Sequence, residues 1–227
     1  MDEVYSLARW LEDLISPLSA VRNNAALRLN NAGASAVPVL IDAIRLSSTS
    51  FSLCRQAAEV LGSIGKEAVH PLIEVLFEES LSARSSATFA LERIGEEAVE
   101  ALIEALETPC PTVRNHAAMA LGKIGDPRAI VPLILHLSDE PEVADSAVFA
   151  LGQIGQPALE AVSLAAEHPE PSVRLRAVLA LGKIGNFHAM PILSRLLGEE
   201  TNPEVMKATR HALEGILMQP PTLDTDL

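Results

Sequence analysis

The sequence contains few aromatic residues and few cysteines. One tryptophan, one tyrosine and five phenylalanines make up 3% of the 227 residues, and the apolar content of 48% consists mainly of Ala, Leu, Val and Ile. That composition favours closely packed helices over a β-sandwich. The two cysteines, Cys54 and Cys110, are too few for a disulfide framework. We therefore expect a helical protein in a reducing, cytoplasmic compartment.

Long apolar runs and an excess of basic residues are absent as well. No run of about 18 apolar residues is available to span a membrane. The opening Met1-Asp2-Glu3-Val4 has neither the basic region nor the apolar stretch of a secretion signal. The 17 Lys and Arg face 30 Asp and Glu, which gives a formal net charge of -13 and a pI of about 4.8. Because duplex nucleic acid requires a dense basic surface, we expect contact with neither nucleic acid nor a membrane.

A short pattern, Leu-x-x-Ile-Gly with glycine usually in second place, recurs at a constant interval of 30 residues. Its five copies begin at Leu61, Leu91, Leu121, Leu151 and Leu181. Looser copies lie around Leu29 and Leu213, each displaced by 32 residues. An internal repeat of this length is the signature of a solenoid, in which each unit packs only against its neighbours. We therefore predict about seven units in a single domain over residues 1–218, followed by a flexible tail over residues 219–227.

Each unit is predicted to contain two helices. In the unit that ends at Gly125, the first helix is expected over residues 96–107 and the second over residues 113–124, because prolines interrupt the turn between them. The glycines of the pattern are expected to close helices, with Gly125 in a left-handed cap, so they form no phosphate-binding loop. Counted from the repeated leucine as zero, positions −8, −4, −3, −1, 0 and +3 are predicted to be buried.

The segment over residues 113–134, VRNHAAMALGKIGDPRAIVPLI, resembles the short HEAT-like repeat of the E/F-type phycobilin lyase family. The resemblance extends over about residues 21–217. It implies an all-α fold, a right-handed α-solenoid of about seven two-helix HEAT-like repeats in which the second helices line the concave face. The family contains cyanobacterial lyases that attach or isomerise bilins on phycobiliproteins, together with relatives that act in phycobilisome breakdown.

Two functions follow from this resemblance. The first is that of a phycobilin lyase or lyase subunit, which holds a phycobiliprotein chain and a transiently bound bilin, such as phycocyanobilin, next to the acceptor cysteine of the partner. A second HEAT-repeat lyase subunit is a further partner that the resemblance implies. The alternative is a non-enzymatic adaptor or chaperone in phycobilisome assembly or turnover. Neither function requires a tightly bound cofactor.

The expected concave face contains an apolar stripe. Positions −6, −5, −2 and +2 of the second helices are predicted to face outward. At position −2, five of the seven units hold an apolar residue, namely Leu27, Phe89, Met119, Phe149 and Leu179, and the other two hold Glu59 and His211. This stripe is a candidate contact for a partner helix or a flat ligand. The alternative is that the helices rotate slightly and the stripe packs between repeats.

Basic residues occupy neighbouring outward positions on the same helices. They are Arg55, Arg93, Lys123, Arg176, Lys183 and Lys207, against the single acid Asp145 at these positions. On an acidic protein they predict a basic groove that attracts bilin propionates or an acidic partner surface. By resemblance, Arg93 and Lys123 are the expected propionate contacts. The alternative is that these side chains only keep the helices soluble.

Residues suited to catalysis are few. His116 and Asp145 occupy outward positions on successive second helices, so they are a candidate acid–base pair next to the stripe, or else an ordinary surface hydrogen bond. Cys110 lies between two prolines, where it is either a reactive thiol or a tolerated surface cysteine. None of the six histidines precedes a glutamate, unlike those of deoxyhypusine hydroxylase, whose HEAT-like repeats bind iron through His-Glu pairs. No metal site is therefore expected.

Other charged and polar residues are assigned structural roles. Arg22, Arg84, Arg114 and Arg174 share position −7 and are expected to bind carbonyl and carboxylate groups of the neighbouring turn. Cys54 takes the equivalent position in its own repeat and is expected to pack in the interior. One helical stripe, predicted to be a solvated ridge or a docking face for a basic partner, consists of Glu96, Glu100, Glu104 and Glu107.

Overall fold

The structure, a computed structural model, describes residues 2–45 and 51–218. These residues contain fourteen α-helices connected by short turns, and they contain no strand. The predicted all-α fold class is therefore confirmed. None of the described helices is both long and apolar enough to cross a membrane. The predicted flexible tail over residues 219–227 lies outside the described residues.

The helices are α1 (Asp2–Asp13), α2 (Ser19–Ala32), α3 (Val37–Arg45), α4 (Phe51–Ile64), α5 (Val69–Val75), α6 (Leu81–Ile94), α7 (Val99–Leu106), α8 (Pro111–Ile124), α9 (Ile130–Leu135), α10 (Pro141–Ile154), α11 (Leu159–Ala165), α12 (Pro171–Ile184), α13 (Met190–Glu199) and α14 (Pro203–Met218). The chain divides into two compact units, residues 1–120 and 121–227, and the boundary falls within α8. A single domain over residues 1–218 stays a prediction.

The first unit consists of two layers of helices. The first layer contains α3, α5 and α7, and the second layer contains α2, α4 and α6. Leu72 and Leu102 of the first layer and Leu61 and Leu91 of the second are completely buried. Because these leucines recur at the repeat interval, successive repeats form a continuous apolar layer between the two sets of helices.

The second unit has the same construction. The first-layer helices α9 and α11 lie side by side, as do the second-layer helices α10, α12 and α14. Leu133 and Val162 of the first layer and Leu151 and Leu181 of the second are completely buried. The prediction of two helices in each repeat is therefore confirmed in both units.

Most helix boundaries lie close to the predicted residues, and the main difference is at the start of the first helix. The helix expected over residues 96–107 begins with a single 3-10 turn, Gly95–Ala98, and α7 follows from Val99 to Leu106. The second helix, α8, begins at Pro111, two residues earlier than expected. Proline is well tolerated in the first turn of a helix, where its missing N–H has no partner to lose.

The glycines that end the second helices have positive φ angles, including Gly125 at 76°, but they use two conformations. Gly185, with φ 67° and ψ 17°, is left-handed. Gly155, with φ 73° and ψ -134°, lies in a different region that only glycine adopts readily. The chain enters a 3-10 turn directly after Gly155, whereas Asn186 intervenes after Gly185. Gly155 therefore does not form a left-handed cap, since direct entry into the next turn requires a different ψ.

The other glycine of the pattern, directly after the repeated leucine, lies inside the helix. A Cβ atom on Gly62 would lie 2.6 Å from Cβ of Arg93, and one on Gly152 would lie 2.7 Å from Cβ of Lys183. Because no side chain fits at these distances, glycine allows successive second helices to approach closely. The prediction that every glycine of the pattern closes a helix is wrong for this position.

The predicted burial of the second helices is confirmed at most positions. In α8, Val113, Ala117 and Leu121 have no exposed surface. Ile124, at position +3, is only half-buried. The repeat pattern therefore identifies the inward face correctly and overstates the burial of the last turn.

Candidate functional site

Basic and acidic residues of the first unit lie on different layers. Its second layer, with the part of α8 that belongs to this unit, carries six arginines and two glutamates, whereas its other helices and turns carry most of the acids. The second-layer charges are Arg22, Arg28, Arg55, Arg84, Arg93, Arg114, Glu59 and Glu92. An anionic group that approaches this unit is therefore attracted to the second layer and repelled by the first.

Three of the five members of the apolar stripe at position −2 are exposed. Leu27, Met119 and Leu179 are 59%, 39% and 43% exposed, and Phe89 and Phe149 are half-buried. The alternative in which the stripe packs wholly between repeats is therefore wrong for the first three. Exposed apolar side chains at one repeated position are typical of a contact surface.

Each phenylalanine of the stripe contacts a basic residue that the sequence also indicated. The guanidinium carbon of Arg93 lies 6.0 Å from the ring centroid of Phe89, and Nζ of Lys123 lies 5.7 Å from that of Phe149. Both distances are typical of a cation–π interaction. Arg93 and Lys123 remain exposed, so each pair presents an aromatic ring and a positive charge side by side.

A hollow of about 840 Å³ lies between α4 and α6 on the second layer of the first unit. This α4–α6 groove is lined by Arg55 and Ala58 of α4 and by Leu81, Ser85, Ser86 and Phe89 of α6. The sequence predicted Phe89 in the apolar stripe and Arg55 in the basic groove, but none of the other lining residues. Leu81 is 65% exposed at the first position of its helix, where α8, α10 and α12 begin with proline. That exception is the sequence signal that could have indicated the groove.

Two smaller hollows contain other members of the stripe together with basic residues. One of about 280 Å³, in the first unit, is lined in part by Leu27, Glu59 and Arg93. The other, of about 270 Å³ between α12 and α14, is lined in part by Leu179 and Lys183. Apolar and basic side chains are thus combined in both units.

Arg176 does not face outward as expected. Its Nη1 donates a hydrogen bond to the carbonyl oxygen of Leu137 at 2.7 Å, and the side chain is half-buried. Position −5 therefore faces the preceding repeat, and the expected outward placement of Arg176 is wrong.

His116, also at position −5, is buried between α6 and α8 and is 6% exposed. Its Nδ1 lies 3.0 Å from Oγ1 of Thr88, and its Nε2 accepts a hydrogen bond from Nε of Arg84 at 3.3 Å. Thr88 donates its hydroxyl proton to the carbonyl oxygen of Arg84, so we assign the imidazole hydrogen to Nδ1, which donates to Thr88. The ring is therefore neutral, and both of its nitrogens are engaged.

The surroundings of His116 favour the neutral imidazole. Burial, and secondly the positive charge of Arg84, lower the pKa of His116. Its expected outward position is wrong, because the side chain links two helices in the interior. The expected acid–base pair required both side chains at the surface. Asp145 is exposed on α10, but His116 is not.

The two cysteines differ in exposure. Cys110 is half-exposed in the turn before α8, and its carbonyl oxygen accepts the backbone N–H groups of Val113 and Arg114 at 3.1 Å. Cys54 is 2% exposed, its Sγ lies 3.6 Å from the carbonyl oxygen of Ala43, and burial raises the pKa of its thiol. The predicted packing role of Cys54 is confirmed, and a reactive role for Cys110 stays a prediction.

The arginines at position −7 bind the turn before their own helix. Nη1 of Arg114 donates to the carbonyl oxygen of Thr108 at 2.9 Å, and Nη1 of Arg174 donates to that of His168 at the same distance. Equivalent bonds are made by Arg22 and Arg84. The predicted structural role of these arginines is confirmed.

Potential metal ligands occur throughout the described residues. In residues 2–45 and 51–218, no three His, Cys, Asp or Glu side chains are grouped so as to hold a metal ion. The predicted acidic stripe is exposed throughout and consists of Glu96, Glu100, Glu104 and Glu107. Its role as a solvated ridge or a docking face stays a prediction.

The repeats match two family descriptions. The HEAT repeat family matches residues 69–142 and 130–214, which together cover more than half of the chain. The chain therefore belongs to the HEAT repeat family. The PBS lyase HEAT-like repeat family matches residues 53–78, which include all but the start of α4.

Several solved structures are similar to this chain. The complex of CpcE and CpcF of phycocyanin lyase from Nostoc sp. PCC7120 shares 25% identity and a TM-score of 0.50 over 64% of this chain and 98% of that one. A designed armadillo repeat protein in complex with the peptide (KR)4 shares 20% identity and a TM-score of 0.41 over 92% and 99%. Human deoxyhypusine hydroxylase shares 23% identity and a TM-score of 0.42 over 78% and 84%.

No curated protein matches the sequence. The predicted solenoid of HEAT-like repeats is confirmed, and the segment over residues 53–78 is also similar to the PBS lyase HEAT-like repeat. The right-handed superhelix stays a prediction.

Proposed function

We propose that this protein holds a phycobiliprotein chain on its second-layer surface and assists the attachment of a bilin. The observation that carries the proposal is the contact of Arg93 with Phe89 and of Lys123 with Phe149. Each pair combines an aromatic surface with a positive charge. A bilin, which is a conjugated tetrapyrrole with two propionates, requires both kinds of contact.

The side chains have separate roles in this proposal. In the first unit, Arg93 binds a propionate, and Phe89 and Met119 contact the tetrapyrrole, where the flexible thioether of methionine adapts to its shape. In the second unit, Lys123 and Phe149 offer a separate pair of the same kind. Leu179 and Lys183 supply a second apolar and basic pair in the second unit. The rate gain arises mainly from proximity, because the bilin is held next to the acceptor cysteine of the partner.

A protein partner is supported by the similar phycocyanin lyase, in which CpcE and CpcF form a complex. We propose a phycobiliprotein subunit as the acceptor and a second HEAT-repeat subunit as a further partner. The second layer is the suitable surface for both, because it combines exposed apolar residues with most of the arginines of the first unit.

The direct test is to mix the purified protein with phycocyanobilin, with and without an apo-phycobiliprotein subunit. We expect an induced visible circular dichroism signal, followed by pigment that stays attached to the subunit after denaturation. The double variant Arg93→Glu and Lys123→Glu should reduce transfer by at least about tenfold, because a charged hydrogen bond contributes roughly 1.5–3 kcal/mol.

The control removes the same amount of positive charge outside the second layer, through Arg9→Glu and Lys66→Glu, both at exposed residues. This control should transfer the bilin as the wild type does. Transfer that is unchanged in the Arg93 and Lys123 variant would reject the lyase function.

The alternative function is that of a non-enzymatic adaptor or chaperone for a phycobilisome protein. The observation that favours it is the burial of His116, which leaves the surface without the acid–base pair expected from the sequence. An adaptor would bind the apo-phycobiliprotein tightly and give no induced bilin spectrum. Met119→Glu should weaken partner binding under either function, because Met119 is exposed on the stripe.

A further inference from the structure

We infer that the α4–α6 groove is the docking site for an acidic amphipathic helix of the protein partner. The inference rests on the proposed function in that it names the kind of partner segment that the second layer receives. The groove shares Phe89 with the proposed bilin contacts, but its inferred occupant is a segment of the protein partner. The groove lies entirely within the first unit, so its description depends on α4 and α6 alone.

Apolar side chains line the groove together with short polar ones. Ala58 is completely buried, Phe89 is half-buried and Leu81 is 65% exposed. The volume of about 840 Å³ is larger than one side chain requires. An amphipathic helix presents several apolar side chains in a row, at positions i, i+4 and i+7, and therefore suits a hollow that follows two helices.

Short side chains of α6 keep the groove open. Ser85 and Ser86 are at positions −6 and −5 of their repeat, where α12 has Leu175 and Arg176. In the second unit Arg176 extends to the carbonyl oxygen of Leu137 at 2.7 Å and occupies space along its helix. At the same two repeat positions, α12 therefore has large side chains and α6 has two serines, which leave the groove open.

The charge beside the groove selects an acidic occupant. Arg55 lines the groove directly, and Arg93 contacts the ring of Phe89, which also lines it. At the position of Arg55, α10 carries Asp145 instead. Because most acids of the first unit lie outside its second layer, on the other helices and turns, this groove attracts carboxylates that the rest of the unit repels.

Arg55 can exchange its present partner for a carboxylate of the docked helix. Its Nε lies 3.3 Å from Oε1 of Glu59, and the two side chains are 63% and 36% exposed. Such an exposed pair within one helix contributes little to stability. The serine hydroxyls of Ser85 and Ser86 add donors for carboxylates along the same wall.

The experiment uses two synthetic helical peptides, each about 18 residues long. Both carry leucines at positions i, i+4 and i+7, and these are flanked by glutamates in one peptide and by lysines in the other. Binding to the full-length protein is measured by fluorescence anisotropy. We expect the glutamate peptide to bind at least about tenfold more tightly, with an affinity that falls as salt is added.

Two variants locate the binding. Ser85→Leu with Ser86→Arg fills the groove with the side chains that α12 uses at the same positions, and should reduce glutamate-peptide affinity at least about tenfold. Arg55→Glu should reverse the preference between the peptides. Its matched control is Lys207→Glu, which makes the same charge change at the same repeat position of α14 and should leave binding unchanged.

Thermal unfolding of each variant shows whether it is folded. The inference is overturned if the wild type binds neither peptide, if it binds the lysine peptide equally well, or if the filled groove still binds the glutamate peptide. It is also overturned if the Ser85→Leu and Ser86→Arg variant still binds the peptide but no longer gives the induced bilin spectrum, because the groove then binds the pigment. If the peptide results hold while no phycobiliprotein or bilin is bound, the proposed function fails and the docking site stands.

Discussion

Arg84 in the first unit and Arg174 in the second occupy the same repeat position, but they link their repeats to the next by different chemistry. Each uses Nη1 to bind carbonyl oxygens of the preceding turn. Nε of Arg84 donates to the neutral ring of His116 at 3.3 Å, whereas Nε of Arg174 donates to the carboxylate of Glu200 at 2.7 Å. One link therefore ends on a neutral acceptor and the other on a charged one.

The link to Glu200 is the stronger of the two. Its carboxylate, only 2% exposed, accepts two hydrogen bonds from Arg174 and the backbone N–H groups of Thr201 and Asn202. Mainly through the bonds from Arg174, the pKa of Glu200 is lowered to about 2. The comparison shows that the repeated arginine fixes the turn, while its partner in the next repeat decides the strength and the pH range of the link.

The largest effect is expected from Glu200→Ala. The change leaves Arg174 and two backbone N–H groups without their acceptor, so the free energy of unfolding should fall by about 3 kcal/mol. Urea unfolding followed by circular dichroism measures the loss. Glu199→Ala, at the exposed neighbouring residue, should change stability by less than about 0.5 kcal/mol. Equal losses of stability in the two variants would contradict a stabilising role for the Arg174–Glu200 link.

The next effect is expected from Thr88→Val, which removes the acceptor of the buried His116 ring. We expect a loss of about 1–2 kcal/mol in the same unfolding measurement. Thr209→Val is the matched control, because the buried hydroxyl of Thr209 bonds only to the carbonyl oxygen of Val205 in its own helix. If Thr209→Val lowers the free energy of unfolding as much as Thr88→Val does, the link between α6 and α8 contributes nothing to stability.

A smaller effect on stability is expected from a change of pH, which acts on the two links in different ranges. The pKa of His116 is lowered in the folded state, so its link contributes fully above the unfolded value near 6.5 and is lost as the pH falls below it. The pKa of Glu200 is lowered from 4.5 to about 2, so its contribution is lost only as the pH falls from 4.5 towards 2. The first link should therefore weaken well before the second during acidification.

The melting temperature measured between about pH 7.5 and pH 5 checks this order. It should fall less steeply for His116→Gln, whose side chain stays neutral, than for the wild type. His70→Gln, at an exposed histidine, should follow the wild-type slope. Parallel slopes for the wild type and His116→Gln would show that His116 does not set the pH dependence in this range.

The smallest effect is expected from Glu78→Gln, which breaks an ion pair with Arg45 between neighbouring repeats of the first unit. The two atoms lie 2.8 Å apart, close to the distance in the Glu200 link, but the side chains are 39% and 35% exposed. Solvent screening limits the loss to below about 1 kcal/mol in urea unfolding. A loss as large as that of Glu200→Ala would mean that charge, and not burial, makes the second link strong.

The repeat pattern predicted much of the fold because equivalent residues pack in the same way in every repeat. The buried leucines, the two helices per repeat and the arginines at position −7 all follow from their regular spacing. Position −5 was predicted wrongly, since helical periodicity identifies an inward face but not the side that a neighbouring helix covers. His116 and Arg176 both lie on that side.

By itself, the sequence determined the helical class, the 30-residue repeat, the boundaries of most helices and the candidate stripe with its basic neighbours. These features depend on local periodicity and on glycine and proline at fixed places. The tertiary structure alone decided that His116 is neutral and buried, that Arg93 and Lys123 cover the phenylalanines, and that α4 and α6 leave a groove. Those properties depend on which side chains of neighbouring helices meet, and contacts between repeats are not encoded in the period of either helix alone.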